Sequence, residues 1–198
     1  VRWAADQGVG TLAMWDWNNL YGMMRFLSAA REYGISPLVG VLLAPEEEVL
    51  LRAVCLGKAG FARLNGLLSR ILDGTLDRTG LLEDLYQGGW EGLALLFHDQ
   101  DVGAFLSARS PRDLYGALFF GRPTRGLHRW CEARGIRSIA CLDAVARTEE
   151  DQEFYQLLRA MEKNTTIQAL GEEELLKEYQ WAPPWDCLLY TSPSPRDR

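Results

Sequence analysis

The sequence contains two histidines, neither in a recognised ligand position, and one of them lies beside acidic residues with which it could bind a metal. His98 follows a short apolar run and is itself followed by Asp99 and Asp101. An imidazole beside carboxylates is a competent set of ligands for a divalent cation. The same residues also suit a solvated turn in which an aspartate caps the next helix. The pattern favours the helix cap, and a metal role for His98 stays open as the alternative.

The other side chains with ligand or nucleophile chemistry have weaker patterns. His128 lies among arginines on a predicted surface helix, in no recognised ligand position. Apart from Cys187, the cysteines are Cys55, Cys131 and Cys141, which form no CxxC pair. Small apolar neighbours surround the first and the last of these three. The pattern predicts buried free thiols in a reducing cytoplasm rather than a disulfide or a metal site.

The composition is that of an ordinary globular domain, and it argues against two classes of function. Hydrophobic residues make up 47% of the chain and charged residues 24%. No stretch approaches the roughly 18 apolar residues that indicate a membrane span. With 27 acidic against 21 basic residues, the formal net charge is −6. A phosphate backbone is held by clustered Lys and Arg, so we expect the domain to meet DNA only as part of a larger protein.

Short apolar runs alternate with amphipathic stretches along the chain, which predicts an α/β fold. The predicted strands cover residues 11–15, 38–43, 49–56, 92–97, 114–119 and 136–142, and the predicted helices cover 1–7, 20–33, 61–72, 81–86, 102–108, 125–134 and 149–163. Repeated strand–helix units indicate a parallel sheet or barrel. We expect the strands at 11–15, 38–43, 92–97 and 136–142 to be mutually parallel, with the helix at 20–33 as a crossover. Because a complete barrel needs about 250 residues, the expected architecture is an incomplete β/α barrel.

Both ends of the sequence have the character of cut points within a longer reading frame. Residues 1–7 have the pattern of a helix that Gly8 ends, so the strand before it is expected upstream of Val1. Residues 187–198 match the translation of a common sequencing adapter, and we interpret them as a non-native tail. The expected organisation is a partial domain over residues 1–170, a connecting segment over 171–186, and a tail that packs against nothing.

Three segments, in order, carry a resemblance to a known family. Residues Ala13–Gly22, with the sequence AMWDWNNLYG, are similar to the family turn alTDHGnlyG. Residues Tyr33–Gly40 (YGISPLVG) resemble the strand aGikPiiG. Residues Ala133–Asp143 (ARGIRSIACLD), followed by Thr148–Asp151 (TEED), are similar to rgiplvatnDvHy and peD. The family is the PHP (polymerase and histidinol phosphatase) domain of bacterial DNA polymerase III alpha subunits, and the resemblance covers residues 1–164.

This resemblance implies a distorted β/α barrel whose strand ends hold divalent metal ions, and whose active members are phosphoesterases or proofreading exonucleases. Such chemistry needs several His and carboxylate ligands at one mouth, because the metals activate a water and stabilise the leaving oxygen. Asp16 and Asp143 match family positions, but Trp17, Leu42 and Val145 stand where the family has His, Glu and His. We therefore expect no bound metal and no catalytic residue. The two aspartates are interpreted as remnants held by turn hydrogen bonds, with a shared cation as the alternative.

The resemblance also implies a function for the longer protein. The chain is expected to be a fragment of a bacterial, cytoplasmic DNA polymerase III alpha subunit, a DNA-directed DNA polymerase. The domain itself is expected to be a non-catalytic module that steadies the polymerase or docks a proofreading exonuclease subunit. Its expected partners are the rest of the polymerase chain and that exonuclease, with DNA bound only by the full-length polymerase. No membrane and no cofactor are expected for this fragment.

Two alternatives belong to other classes of function. An active metal-dependent phosphoesterase or exonuclease would use ligands upstream of Val1 together with Asp16, Asp143 and His98. A His-x-His motif before Val1 would favour this alternative. A stand-alone binding module derived from the same barrel would lack any polymerase. A polymerase palm with paired carboxylates downstream of Asp186 would exclude that second alternative.

Overall fold

The structure of the protein is a computed structural model, and it describes residues 1–119, 124–141 and 144–171. The helices are α1 Arg2–Asp6, α2 Met23–Glu32, α3 Lys58–Leu72, α4 Arg78–Gly88, α5 Gln100–Ser107, α6 Arg125–Glu132 and α7 Glu149–Glu162, and a 3-10 turn covers Ile167–Ala169. The strands are β1 Thr11–Trp17, β2 Ser36–Leu43, β3 Leu51–Cys55, β4 Leu93–Phe97, β5 Leu114–Phe119 and β6 Arg137–Cys141. Each predicted element is present, with its ends shifted by no more than a few residues. The predicted segments at 171–186 and 187–198 lie outside the described residues, except for residue 171.

The six strands form one sheet in the order β1-β2-β3-β4-β5-β6. The pairs β1–β2 and β4–β5 are parallel, whereas β3 is antiparallel to both of its neighbours. Strands β1, β2, β4 and β5 therefore run in the same direction. This confirms the α/β class, the incomplete β/α barrel, and the parallel direction predicted for the strands at 11–15, 38–43 and 92–97. The direction predicted for the strand at 136–142 stays a prediction.

The reversed direction of β3 differs from a repeated strand–helix pattern, and the connection before it explains the difference. Only residues 44–50 separate β2 from β3, and the backbone N–H of Leu50 donates to the carbonyl of Leu43 at 2.9 Å. A parallel neighbour would need a crossover of a dozen or more residues, usually with a helix. The β2–β3 unit is therefore a hairpin, while α2 makes the parallel crossover from β1 to β2 as predicted.

Side-chain alternation divides the central strands into two faces with different surroundings. One face packs against helices and forms the main core. Its fully buried members include Val41 and Leu43 of β2, Leu51 and Ala53 of β3, Leu95 and Phe97 of β4, and Leu64, Leu81 and Leu106 of the helices. The opposite face, called the inner face below, has a row of register partners across five strands. That row is Trp17, Leu42, Arg52, Leu96 and Tyr115.

The described chain forms two compact units. The first contains residues 1–118 with 125–139, and the second includes residues 144–171. In the second unit, Thr148 caps α7, because its hydroxyl accepts from the N–H of Asp151 at 3.2 Å. Three acidic residues in the first turn of α7 complement the positive end of the helix dipole. Within the described ranges, no helix combines the length and the apolar character that crossing a bilayer requires.

The three cysteines differ in solvent exposure, and two of them are less buried than predicted. Cys131 on α6 is fully buried and packs against Gly116, and burial raises the pKa of its thiol. Cys55 and Cys141 are only half-buried, so the prediction that small apolar neighbours bury them was wrong. Each of them is the last residue of its strand. Burial still raises the pKa of the Cys55 thiol.

An ion cluster joins the two helices that follow β3. The carboxylate of Asp84 on α4 accepts hydrogen bonds from the guanidinium groups of Arg63 and Arg70 on α3. Partial burial by itself would raise the pKa of Asp84, but the two hydrogen bonds and the two positive charges outweigh it and lower that pKa. The cluster therefore stabilises the folded chain when Asp84 is ionised.

We predict that Asp84→Asn lowers the free energy of unfolding at pH 7 by about 1 kcal/mol, a value reduced for the solvent exposure of both arginines. Because the folded pKa is lowered, the contribution is complete above the unfolded aspartate value of about 4 and is lost as the pH falls through the folded value. Urea unfolding across this range measures the difference. The control is Glu83→Gln, an exposed change of equal charge on the same helix. An equal loss in the two variants would contradict a specific role for the cluster.

Helix α3 approaches the sheet closely enough that only a glycine fits at the contact. A Cβ on Gly60 would overlap the carbonyl oxygen of Gly92, which also accepts from the N–H of Leu56 at 2.8 Å. Gly92 itself has a φ of 81°, so it also requires glycine. By contrast, nothing lies within 4 Å of a Cβ on Gly66 in the same helix.

We predict opposite effects for alanine at these two positions of α3. Gly60→Ala should lower the free energy of unfolding by about 1–3 kcal/mol or more, because backbone must move. Gly66→Ala should raise it by about 0.5–1 kcal/mol, because the helix loses an entropically costly glycine. Urea unfolding followed by circular dichroism checks both. If Gly60→Ala were as stable as Gly66→Ala, the close approach of α3 to the sheet would be refuted.

Candidate functional site

Two of the positions where the family resemblance implies ligands lie side by side near the ends of neighbouring strands. Trp17 is the last residue of β1, and its register partner on β2 is Leu42. Trp17 is 47% exposed and Leu42 is half-buried. Both belong to the inner face, at the C-terminal ends of parallel strands, where β/α barrels carry their sites. An indole and an isobutyl group offer no lone pair for a metal, so this part of the rim is apolar.

Asp16 points away from that rim. It is the register partner of Val41, so alternation directs its side chain to the opposite side from Trp17 and Leu42. Its carboxylate Oδ2 accepts a hydrogen bond from the backbone N–H of Gly22 at 2.9 Å. Gly22 is the residue from which α2 begins. The Asp16 carboxylate therefore closes the turn between β1 and α2, as the turn-hydrogen-bond interpretation expects.

Asn18 holds the ends of β1 and β2 together, a role that the sequence interpretation missed. Its side-chain amide donates to the carbonyl of Ala44 at 2.5 Å, and its Oδ1 accepts from the N–H of Ala44 at 2.8 Å. Its backbone φ is 50°, in the left-handed region that asparagine tolerates better than most residues. Asn18 occupies the position of the glycine in the family turn. The sequence did contain a signal for this role, namely an asparagine where the family turn has glycine.

The His98 segment is organised as a helix cap. Asp99 Oδ1 accepts hydrogen bonds from the N–H groups of Asp101 at 2.7 Å and Val102 at 3.1 Å, at the start of α5. His98 is exposed just beyond the end of β4, and Asp101 is exposed in the first helical turn. The Asp99 carboxylate is thus engaged by backbone donors, which matches the cap interpretation for this residue.

Three further predicted positions are Asp143, Val145 and His128. Asp143 lies outside the described residues. Val145 belongs to the second unit and is 50% exposed. His128 on α6 has its Nδ1 2.9 Å from the hydroxyl of Ser138 on β6.

The described side chains do not fit the metal cluster that the family implies. Over residues 1–119, 124–141 and 144–171, no three His, Cys, Asp or Glu side chains come together as a metal-binding group. Trp17, Leu42 and Val145 carry no donor atoms for a metal, and the carboxylates of Asp16 and Asp99 accept from backbone N–H groups. Among the described residues, this rim therefore offers no converging set of ligands of the kind that a dinuclear centre requires.

The inner face does contain one charge that the sequence interpretation missed. Arg52 is the second residue of β3 and is buried. Its neighbours in the row across the sheet are Leu42 on β2 and Leu96 on β4. The sequence contained a signal for it, because an arginine interrupts the otherwise apolar run of residues 49–56. Charged residues are rare in buried strands.

We predict that Asp16 contributes through its acceptor oxygen and not through its charge. Asp16→Ala should lower the free energy of unfolding by about 1 kcal/mol, because the Gly22 N–H loses its acceptor. Asp16→Asn keeps an acceptor at the same place and should cost only a few tenths of a kcal/mol. Urea unfolding with and without millimolar Mn²⁺ measures both. An equally large loss in the two variants, or a gain from Mn²⁺ in the wild type alone, would instead support the shared-cation alternative.

Comparisons with known proteins point to one family. The family model described as "PHP domain" matches residues 1–116, which is more than half of the chain. An error-prone DNA polymerase of Symbiobacterium thermophilum is 25% identical over 227 residues, covering 94% of this chain and 21% of that protein. An error-prone DNA polymerase of Corynebacterium efficiens is 38% identical over 66 residues, covering 33% of this chain and 6% of that protein. The chain thus spans about a fifth of the length of the first relative. With the barrel-type sheet and the turn built on Asp16, this match shows that the chain belongs to the PHP domain family.

Proposed function

We propose that the chain is the PHP-domain part of a bacterial DNA polymerase, and that this domain is a non-catalytic scaffold. The relatives named as error-prone DNA polymerases support the first part of the proposal. One observation carries the second part: Trp17 and Leu42 face each other on neighbouring strands where ligands would stand. The proposed domain covers residues 1–170 and belongs to a polymerase of the kind that includes the polymerase III alpha subunit.

The scaffold proposal rests on the charge that metal catalysis needs. Two or more divalent ions must be held by anionic and imidazole ligands that converge on one point. Two neighbouring positions of the rim carry an indole and an isobutyl group, and Asp16 is turned towards α2. Loss of a single ligand weakens a metal site, whereas loss of adjacent ligands removes its charge and its geometry together. The chain is therefore suited to holding its neighbours in place and not to hydrolysing a phosphoester.

The partners proposed for this scaffold are those that the family resemblance implies. They are the rest of the polymerase chain and a separate proofreading exonuclease subunit, in the bacterial cytoplasm. The acidic net charge of −6 opposes direct binding to a phosphate backbone. Contact with DNA is accordingly assigned to the full-length polymerase. No cofactor is assigned to this part of the chain.

The test uses the full-length polymerase that carries this domain. We predict less than stoichiometric Mn²⁺ or Zn²⁺ bound at the PHP domain, and no hydrolysis of a labelled 3′ primer end that depends on Asp143. Asp143→Ala should leave both readouts unchanged. The matched control is the triple variant Trp17→His, Leu42→Glu and Val145→His, which restores family ligand types and should bind more metal than the wild type.

Two results would overturn the scaffold proposal. The first is stoichiometric metal in the wild type that Asp143→Ala removes, measured by elemental analysis after gel filtration. The second is primer hydrolysis that Asp143→Ala abolishes while DNA synthesis continues. Either result would identify a working metal-dependent phosphoesterase or exonuclease.

A further inference from the structure

Helix α7 turns its apolar side outward. The side chains at i, i+3, i+4 and i+7 of this helix form one apolar row, called the α7 stripe below, and each of them is between 44% and 68% exposed. The α7 stripe consists of Phe154, Leu157, Leu158 and Met161. A helix of a globular protein normally directs such a row towards the core. Four large apolar side chains together on an exposed side indicate a surface that another segment covers.

The opposite side of α7 is the less exposed side, although its residues are mostly polar or small. Gln152 and Gln156 are half-buried there, and Ala160 is buried. The helical repeat places these residues about half a turn away from the α7 stripe. The helix is thus already packed along one side, and the stripe needs a different occupant.

The chain reverses its direction directly after α7. Asn164 has a φ of 50°, and the N–H of Thr165 donates to the carbonyl of Ala160 at 2.9 Å. This combination is typical of a left-handed cap at the C-terminal end of a helix. The 3-10 turn Ile167–Ala169 then contacts α7. The described chain ends at residue 171, two residues beyond that turn, so the next segment continues from beside α7.

Residues 172–181 lie outside the described residues, and their sequence predicts a segment that suits the α7 stripe. The first three are glutamates, which favour the first turn of a helix, and Pro183 limits its length. Leu175, Leu176 and Tyr179 are spaced to share one side of that helix. Ten helical residues span about 15 Å and the α7 stripe about 10 Å, so a returning helix is long enough to cover it.

We propose that residues 172–181 cover the α7 stripe as the second arm of a helical hairpin. Short connections place consecutive helices side by side and antiparallel. Contact between the two apolar rows removes both from water, which stabilises the hairpin. The proposal rests on the function proposed above, in which the rest of the polymerase follows this domain, and goes beyond it. The polymerase chain then leaves from a point fixed on α7 and not from a loose tether.

The first test measures hydrogen–deuterium exchange in the full-length polymerase. Leu175→Ser with Leu176→Ser should lower the protection of peptides that cover α7 by about tenfold or more, because the stripe loses its cover. Leu157→Ser with Leu158→Ser should lower the protection of peptides that cover residues 172–181 in the same way. The two effects are reciprocal because each row protects the other.

A matched control and a second measurement separate this contact from a general loss of folding. Glu173→Ser with Lys177→Ser changes the polar side of the same segment at constant net charge, and should leave the protection of α7 unchanged. In a second experiment, Leu158→Cys with Leu176→Cys should be joined by a short bismaleimide within one chain, as peptide mapping detects. Gln156→Cys with Leu176→Cys, which starts from the opposite side of α7, should not be joined.

Four results would overturn the hairpin. Protection of α7 that survives Leu175→Ser with Leu176→Ser would assign the stripe to another part of the polymerase. Protection that falls when the wild type is diluted would assign it to a second copy. Exchange in the wild type as fast as in a bare helix would leave the stripe uncovered, and equal cross-linking from Gln156→Cys and Leu158→Cys would remove the specific contact. Failure of the scaffold proposal is separate, because bound metal and primer hydrolysis decide it.

Discussion

The strand register of β1 to β4 is the constraint on which the rest of the structure depends. Because side chains alternate, a single alignment puts Val41, Leu51 and Leu95 under the helices and leaves their neighbours on the inner face. A slip by one residue would exchange the two sets and bury the wrong ones. The same strand register therefore determines both which side chains form the core and which lie at the rim. A change of register would alter both sets together.

Much of this arrangement follows from the sequence, since apolar runs and amphipathic spacing locate each strand and helix. The direction of β3 did not follow, because it depends on the short connection 44–50 and not on the composition of the strand. Arg52 was missed because the residues around it made the run resemble an ordinary buried strand. The role of Asn18 was missed because it depends on a backbone conformation and on Ala44, which is distant in sequence.

The rim also illustrates how a carboxylate can be retained for a local structural role. Asp16 lies near the end of β1 and Asp99 just beyond β4, and each accepts from backbone N–H at the start of the next helix. Free N–H groups at a helix start attract any nearby anionic oxygen. An aspartate at such a place is useful whether or not a metal is bound. The presence of such an aspartate is therefore weak support for catalysis. The residues at the neighbouring rim positions, Trp17 and Leu42, are more informative about whether a metal can bind.

The thiol of Cys131 gives the fold an internal reporter. It is fully buried against Gly116, so a thiol reagent can reach it only when α6 separates from the sheet. Its raised pKa slows alkylation further in the closed form. The rate of labelling at this one position would therefore time the separation of α6 from the sheet. The more accessible Cys55, on β3, would mark the same molecules while they remain closed.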